Sequence, residues 1–203
     1  MISKKKIIAL YGFVIVLIVG VLALAWGLQS EKVEKQKQIA ESKVLKQDLK
    51  LLNQDGVEVS LFQMKGKVWA FAQFYAACPM CAERNREGLK ALYEKFKDQP
   101  DFHVICVTVN PERDGVEMME SYANSIGADI SNWWFLTGDP EQLKNYMVDV
   151  MGYAPTVKRE NAEEAAEKGE IAHDMSIAIY SREMALLDRI DLYTASKQAP
   201  ETV

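Results

Sequence analysis

"VWAFAQFYAACPMCAERNREGLKALYEKF", residues 68–96, joins three patterns: a near-continuous apolar run, two cysteines separated by two residues, and a helical repeat. Residues 68–75 are aromatic and aliphatic apart from Gln73, with no polar alternation, as a strand buried on both faces requires. Leu89, Leu92, Tyr93 and Phe96 recur at the spacing of one helix face. Cys78 and Cys81 therefore stand between a buried strand and a helix. Helix N-terminal N–H groups and the macrodipole stabilise a thiolate placed there. Pro79 lacks an N–H, which a first helical turn does not miss. The arrangement predicts Cys78 as an exposed nucleophile and Cys81 as a more buried resolving thiol.

Working outward, "NQDGVEVSLFQMKGK" (53–67) reads as a turn, a short alternating strand and another turn, and "FHVICVTVN" (102–110) as a second central strand. "GVEMMESYANSIG" is a helix ending at Gly127, and "DPEQLKNYMVDVMG" is a helix with Asp139 as N-cap and Pro140 at its first position. "NWWFLTG" is a short strand between them. Residues 158–170, "KRENAEEAAEKGE", form a charged surface excursion, and "MSIAIYS" with "MALLDRIDLY" forms a terminal hairpin around Arg182 and Glu183. This order predicts an α/β sandwich with parallel central strands and an antiparallel edge. The expected boundaries are residues 1–29 for cytoplasmic lysines and an anchor, 30–52 for a polar helical stalk, and 53–203 for the folded domain.

The anchor is read from Lys4, Lys5 and Lys6 followed by an uncharged run of 22 residues, Ile7 to Leu28. About 20 such residues cross a bilayer as a helix. The positive-inside rule puts the lysines in the cytoplasm and the rest on the far side. The expectation is a single-pass protein of a bacterial cytoplasmic membrane with an exported, periplasmic domain. Ala23 and Ala25 offer a signal-cleavage alternative, which exports the domain equally. The chain carries 24 basic and 29 acidic residues, and the leading lysines belong to the anchor, so the exported part is acidic. That argues against nucleic acid, whose binding rests on neutralising phosphates.

Three cysteines do not make a disulfide scaffold. Cys106, in "FHVICVTV", is expected to be a small buried hydrophobe. Cys78 and Cys81, in an oxidising compartment, are oxidised unless something reduces them or a metal occupies them. Zinc asks for four ligands, more than this chain groups together. Cu(I) accepts two or three soft ligands, and thiolate with imidazole suits it. Of the two histidines, His103 starts a core strand and is expected to be structural. His173, in "GEIAHDMSIAIY", precedes the terminal hairpin and is expected across the tip of the sheet from the cysteines.

Several segments together resemble the SCO/SenC family of thioredoxin-like proteins: "GKVWAFAQFYAACPMC", "VICVTVNPERDG", "YANSIGA", "WWFLTGDPEQL" and "HDMSIAIYS". The resemblance runs from about residue 53 to 190. It implies a thioredoxin-like sandwich with a central mixed sheet behind an N-terminal transmembrane helix. It also implies copper, as Cu(I) or Cu(II), held by Cys78, Cys81 and His173; Asp174, next in the chain, is read as a neighbour that orients the histidine. The copper is passed toward the copper-bearing subunit of cytochrome c oxidase, or to other copper and thiol proteins.

This sequence departs from the family in the cysteine spacing. The family usually has three residues between the cysteines, and here only Pro79 and Met80 intervene. Two is the spacing of thiol–disulfide oxidoreductases, in which Cys78 and Cys81 act catalytically and form a redox-active disulfide. An alternative register sets Met175 in place of His173, and Met175 or Met80 is itself a soft thioether donor. General oxidoreductases of this fold carry a cis-proline before the edge strand, and "EIAHDMSIAIY" has none. The sequence thus leaves a copper carrier, a reductase of copper-site disulfides and a general exported thiol–disulfide oxidoreductase as the readings to separate.

Overall fold

The computed structural model of the chain describes residues 44–79 and 85–192, together with Gly20. The chain divides into two compact units, Met1–Lys43 and Val44–Val203. The expected membrane span and most of the expected stalk lie outside the described residues. Among the described residues no helix is long and apolar enough to cross a membrane.

The second unit opens with a two-stranded antiparallel ribbon, β1 (Lys50–Leu52) and β2 (Glu58–Ser60). The stretch from Val44 to Leu52 was expected to be solvated stalk, and here the structure differs. Leu45, Leu49 and Leu51 are buried, because they recur every second or fourth residue and point into the core as the chain becomes extended. The Leu61 N–H donates to the Leu49 carbonyl, and Tyr146 Oη donates to the Gln47 carbonyl at 2.6 Å. Folded structure therefore begins well before residue 53.

A single turn of 3-10 helix leads into β3 (Val68–Phe74), all but its first residue buried. Then come α1 (Glu87–Phe96), β4 (Phe102–Thr108), α2 (Val116–Ile126) and β5 (Trp133–Leu136). α3 (Pro140–Asn145) continues as a π-helical turn over Tyr146–Val150. The expected caps are present: Asp139 Oδ1 accepts the Gln142 N–H at 2.8 Å, and Gly127 closes α2 with a left-handed φ of 67°. The excursion is β6 (Val157–Lys158), α4 (Ala162–Lys168) and β7 (Ile171–Ala172), with β6 and β7 antiparallel. The terminal hairpin is β8 (Ile177–Tyr180) and β9 (Leu186–Ile190).

The central sheet has the order β5-β4-β3-β8-β9. β3 pairs parallel with β4, and β4 with β5, while β8 lies antiparallel to β3 and β9 antiparallel to β8. β3 is central because both of its edges are paired and both of its faces are covered. On one face Trp69 and Phe71 meet Leu49, Met64, Met147 and Tyr180. Trp69 stacks on Tyr180 at 4.3 Å between ring centroids. On the other face Ala70, Ala72 and Phe74 meet Leu89 and Tyr93 of α1 and Met119 and Ala123 of α2. Small alanines there let the helices approach the sheet. Truncating a buried Trp or Phe at such a position costs about 3–5 kcal/mol. Parallel β3 and β4 both deliver their C-terminal ends to one edge of the sheet, where the cysteine turn begins.

Candidate metal and thiol site

β3 ends at Phe74, and the chain leaves it through Tyr75, Ala76 and Ala77 to Cys78. The Cys78 N–H donates to the Tyr75 carbonyl at 3.1 Å, which curls the chain into a tight turn. Cys78 is disulfide-bonded. It is only 4% exposed, which corrects the expectation of an exposed nucleophile. The turn folds the sulfur back under the chain into the apolar cluster of Phe74, Tyr75 and Leu89. Cys81 and Met80 lie outside the described residues.

The opposite wall is built by residues 169–176. Gly169 has φ 87°, and a Cβ there would stand 1.8 Å from Tyr75 Oη and 3.5 Å from Pro79 Cδ. The backbone of the excursion thus rests directly on the cysteine turn. The Ile171 N–H points at Tyr75 Oη from 3.4 Å. Two residues on, the His173 ring meets the Tyr75 ring edge-on, with centroids 5.9 Å apart and planes at 71°. Tyr75 lies between the two walls, in one apolar cluster with Cys78 and ring to ring with His173.

His173 is half-buried, and its Nδ1 lies 2.9 Å from the carbonyl oxygen of Asp174. An N–H at Nδ1 donating to that carbonyl leaves the lone pair on Nε2, the form that ligates a soft metal. Burial holds the His173 pKa below its ordinary value, which favours the neutral ring. The Asp174 carboxylate does something else. Its Oδ1 accepts the Ser176 N–H at 2.8 Å, and its Oδ2 lies 3.6 Å from Arg189 Nη1. Arg189 in turn lies 3.8 Å over the Tyr153 ring and donates to the Met151 carbonyl. Asp174 therefore meets the imidazole through its backbone, and its side chain pins the segment to β9.

Met175 presents its backbone here as well: its carbonyl accepts from Asn85 Nδ2 at 2.8 Å. Asn85 is buried at the head of the helix that follows the cysteines, so this bond ties that helix to the histidine segment. Among the described residues no group of three or more His, Cys, Asp or Glu side chains gathers as a metal site. A ligand set of Cys78, Cys81 and His173 would be complete only with Cys81, outside those residues.

Cys106 and His103 take the structural places expected of them. Cys106 is a buried free thiol, pushed up to about 12 by desolvation, with Trp133 Nε1 donating to its sulfur at 3.3 Å. His103 is buried at the opposite end of β4, roughly 16 Å of strand from Thr108 at 3.3 Å per residue. Its Nε2 lies 3.0 Å from Lys67 Nζ, and burial followed by that cation lowers its pKa to about 4.

Tyr75, Asn85 and Asp114 were not singled out from sequence. Tyr75 read as the last core aromatic of a strand, and Asn85 as one polar residue of a helix face. Asp114 lies inside "VICVTVNPERDG", a segment that carries the family resemblance without a role assigned to the aspartate.

Compared with known proteins, the SCO1/SenC family profile matches residues 37–203. The chain belongs to the SCO1/SenC family. A curated relative, the SCO1 protein homolog of Bacillus subtilis, is 32% identical over 87 residues, 42% of this chain and 45% of that one. The chain thus matches less than half the length of that relative. Among solved structures, BsSco, described as a member of the Sco family of cytochrome c oxidase assembly proteins with a disulfide switch, superposes with a TM-score of 0.59 at 24% identity. The superposition covers 74% of this chain and 84% of BsSco. Arabidopsis thaliana ScoI, solved with copper bound, gives 0.59 at 21%, covering 75% and 94%. These likenesses establish the thioredoxin-like fold with its central mixed sheet.

Proposed function

We propose that this SCO-family chain is a membrane-tethered protein of cytochrome c oxidase copper-centre assembly. In this reading Cys78, Cys81 and His173 take up one Cu(I) as cargo, and the same thiol pair reduces disulfides at the receiving copper site. The two roles share chemistry, because copper loads only onto thiolates released from the disulfide. The observation that carries the reading is the meeting of the Cys78 turn and the His173 segment on the two sides of Tyr75. The half-buried neutral imidazole and the soft thiolate suit Cu(I) as a donor set. The copper-bound state of a structural relative and the disulfide switch of another support the two halves of the role.

The run from Ile7 to Leu28 is the proposed membrane span, with the folded unit on the exported side. A second reading, a general exported thiol–disulfide oxidoreductase, is favoured by the two-residue cysteine spacing and by the disulfide at Cys78.

Titrating the reduced, anaerobic full chain with Cu(I) against a chromophoric chelator separates them. The expected result is one Cu(I) per chain, with binding weakened roughly 10- to 100-fold in His173→Ala. Absence of copper binding, with rapid reduction of a protein disulfide, gives the second reading instead.

A further inference from the structure

The loop between β4 and α2, "VNPERD" (109–114), makes specific bonds to both walls of the site. Toward the cysteine wall, Asp114 is 2% exposed, and its Oδ2 accepts the Ala76 N–H at 3.0 Å and the Thr108 Oγ1–H at 2.6 Å. Ala76 is two residues before Cys78, in the turn itself. Thr108 Oγ1 also accepts the Asn110 N–H, and the Val109 N–H donates to the Phe74 carbonyl, so the loop is seated on the ends of β3 and β4. The Asp114 N–H returns to the Asn110 carbonyl at 2.9 Å, closing the loop on itself.

Toward the histidine wall, Arg113 Nη1 donates to Glu170 Oε2 at 3.1 Å, three residues before His173. The strand of backbone it meets is held from the other side, where Arg159 Nη1 donates to the Gly169 carbonyl at 2.7 Å. Adjacent residues 113 and 114 therefore reach opposite walls. A buried carboxylate is costly unless its hydrogen bonds are made, so Asp114 is a stringent anchor. The exposed Arg113–Glu170 pair is the weaker arm.

We propose that Asp114 is a positioning residue of the thiol and metal site, and that the 109–114 loop is a brace setting the Cys78 turn relative to the His173 segment. Removing it leaves the sandwich folded and lets the two walls drift. For its copper readout the inference rests on the function proposed above, and a second readout is independent of copper.

Two quantities are measured on the reduced and oxidised full chain for wild type, Asp114→Asn, Arg113→Ala and the double variant Asp114→Asn with His173→Ala. The first is Cu(I) affinity. Asp114→Asn is expected to weaken it roughly tenfold and Arg113→Ala severalfold less, with Asp114→Asn adding little on the His173→Ala background. The second is the equilibrium of the Cys78 disulfide with dithiothreitol, expected to shift severalfold in Asp114→Asn. A residue that merely supports the fold lowers the melting temperature and leaves both quantities where they were; that outcome overturns the proposal. If wild type binds no copper, the functional reading fails, and the disulfide equilibrium alone decides for or against the brace.

Discussion

The 1.8 Å that a Cβ on Gly169 would leave to Tyr75 Oη is far inside van der Waals contact, and φ 87° disfavours any L side chain besides. Gly169→Ala is expected to lift residues 169–173 off the cysteine turn and to weaken Cu(I) binding more than it lowers the melting temperature. Tyr75→Phe on that background removes the clashing oxygen and is expected to restore part of the affinity, with the backbone strain remaining. Chelator competition on the single and double variants checks both. His103 makes a prediction of the opposite kind, about stability alone. Its pKa is about 4 folded against 6.5 as a free group, so below pH 6.5 the unfolded chain binds a proton that the folded chain refuses. Its contribution is intact above pH 6.5 and is lost as pH falls toward 4, by at most about 3 kcal/mol. Urea denaturation at pH 7 and 4.5 should show a smaller loss in His103→Gln than in wild type. At this scale the sequence was legible wherever the residue type limits the chemistry. Cys106 and His103 could be assigned structural roles because each sits within a strand of apolar neighbours. Cys78's burial was not legible, since it depends on how the Tyr75–Cys78 turn curls, and tertiary packing decides that.

Periodicity and caps made most elements readable. β3, β4, α2 and the terminal hairpin stand where their patterns put them, and Asp139 and Gly127 cap as their residue types dictate. Residues 44–52 did not read correctly, because lysines and glutamines interleaved with leucines look the same in a solvated helix and in a ribbon with one wet face. Leu45, Leu49 and Leu51 find the core only because the π-helical turn and β9's hairpin provide a surface for them. The charged excursion was recognised as a surface feature, yet its role came from its far end. β6 and β7 pair so that the returning strand passes over Tyr75, and Asn161 Oδ1 caps α4 through the Glu164 N–H at 2.9 Å. An element with no buried residue can thus still position the edge of the sheet that carries the cysteine turn.

For the whole molecule, the decisive relation is that the Cys78 turn and the His173 segment, widely separated in the chain, meet at Tyr75 through the pairing of β8 with β3. β8 supplies the second edge of β3, aligning Trp69 with Tyr180 and Ala72 with Ile177. A chain ending at Ser176 keeps both candidate ligand segments and loses that strand. It is expected to be aggregated on size-exclusion chromatography, because β3 then presents an open, apolar edge. Family membership could be read from segments scattered along the chain, whereas the site's walls needed the sheet order.

The same strand order has a consequence in time. Synthesis delivers the chain N-terminus first, so the cysteine turn emerges about a hundred residues ahead of the hairpin that seats the histidine segment. Closing β8 onto β3 is a contact of high sequence separation and belongs to the late, slow part of folding. On the proposed exported side of the membrane, the cysteine turn then meets the oxidants of that compartment before the His173 segment is seated. In the proposed role, the newborn protein is therefore expected to be oxidised first and to take up copper only after a reductant has visited it.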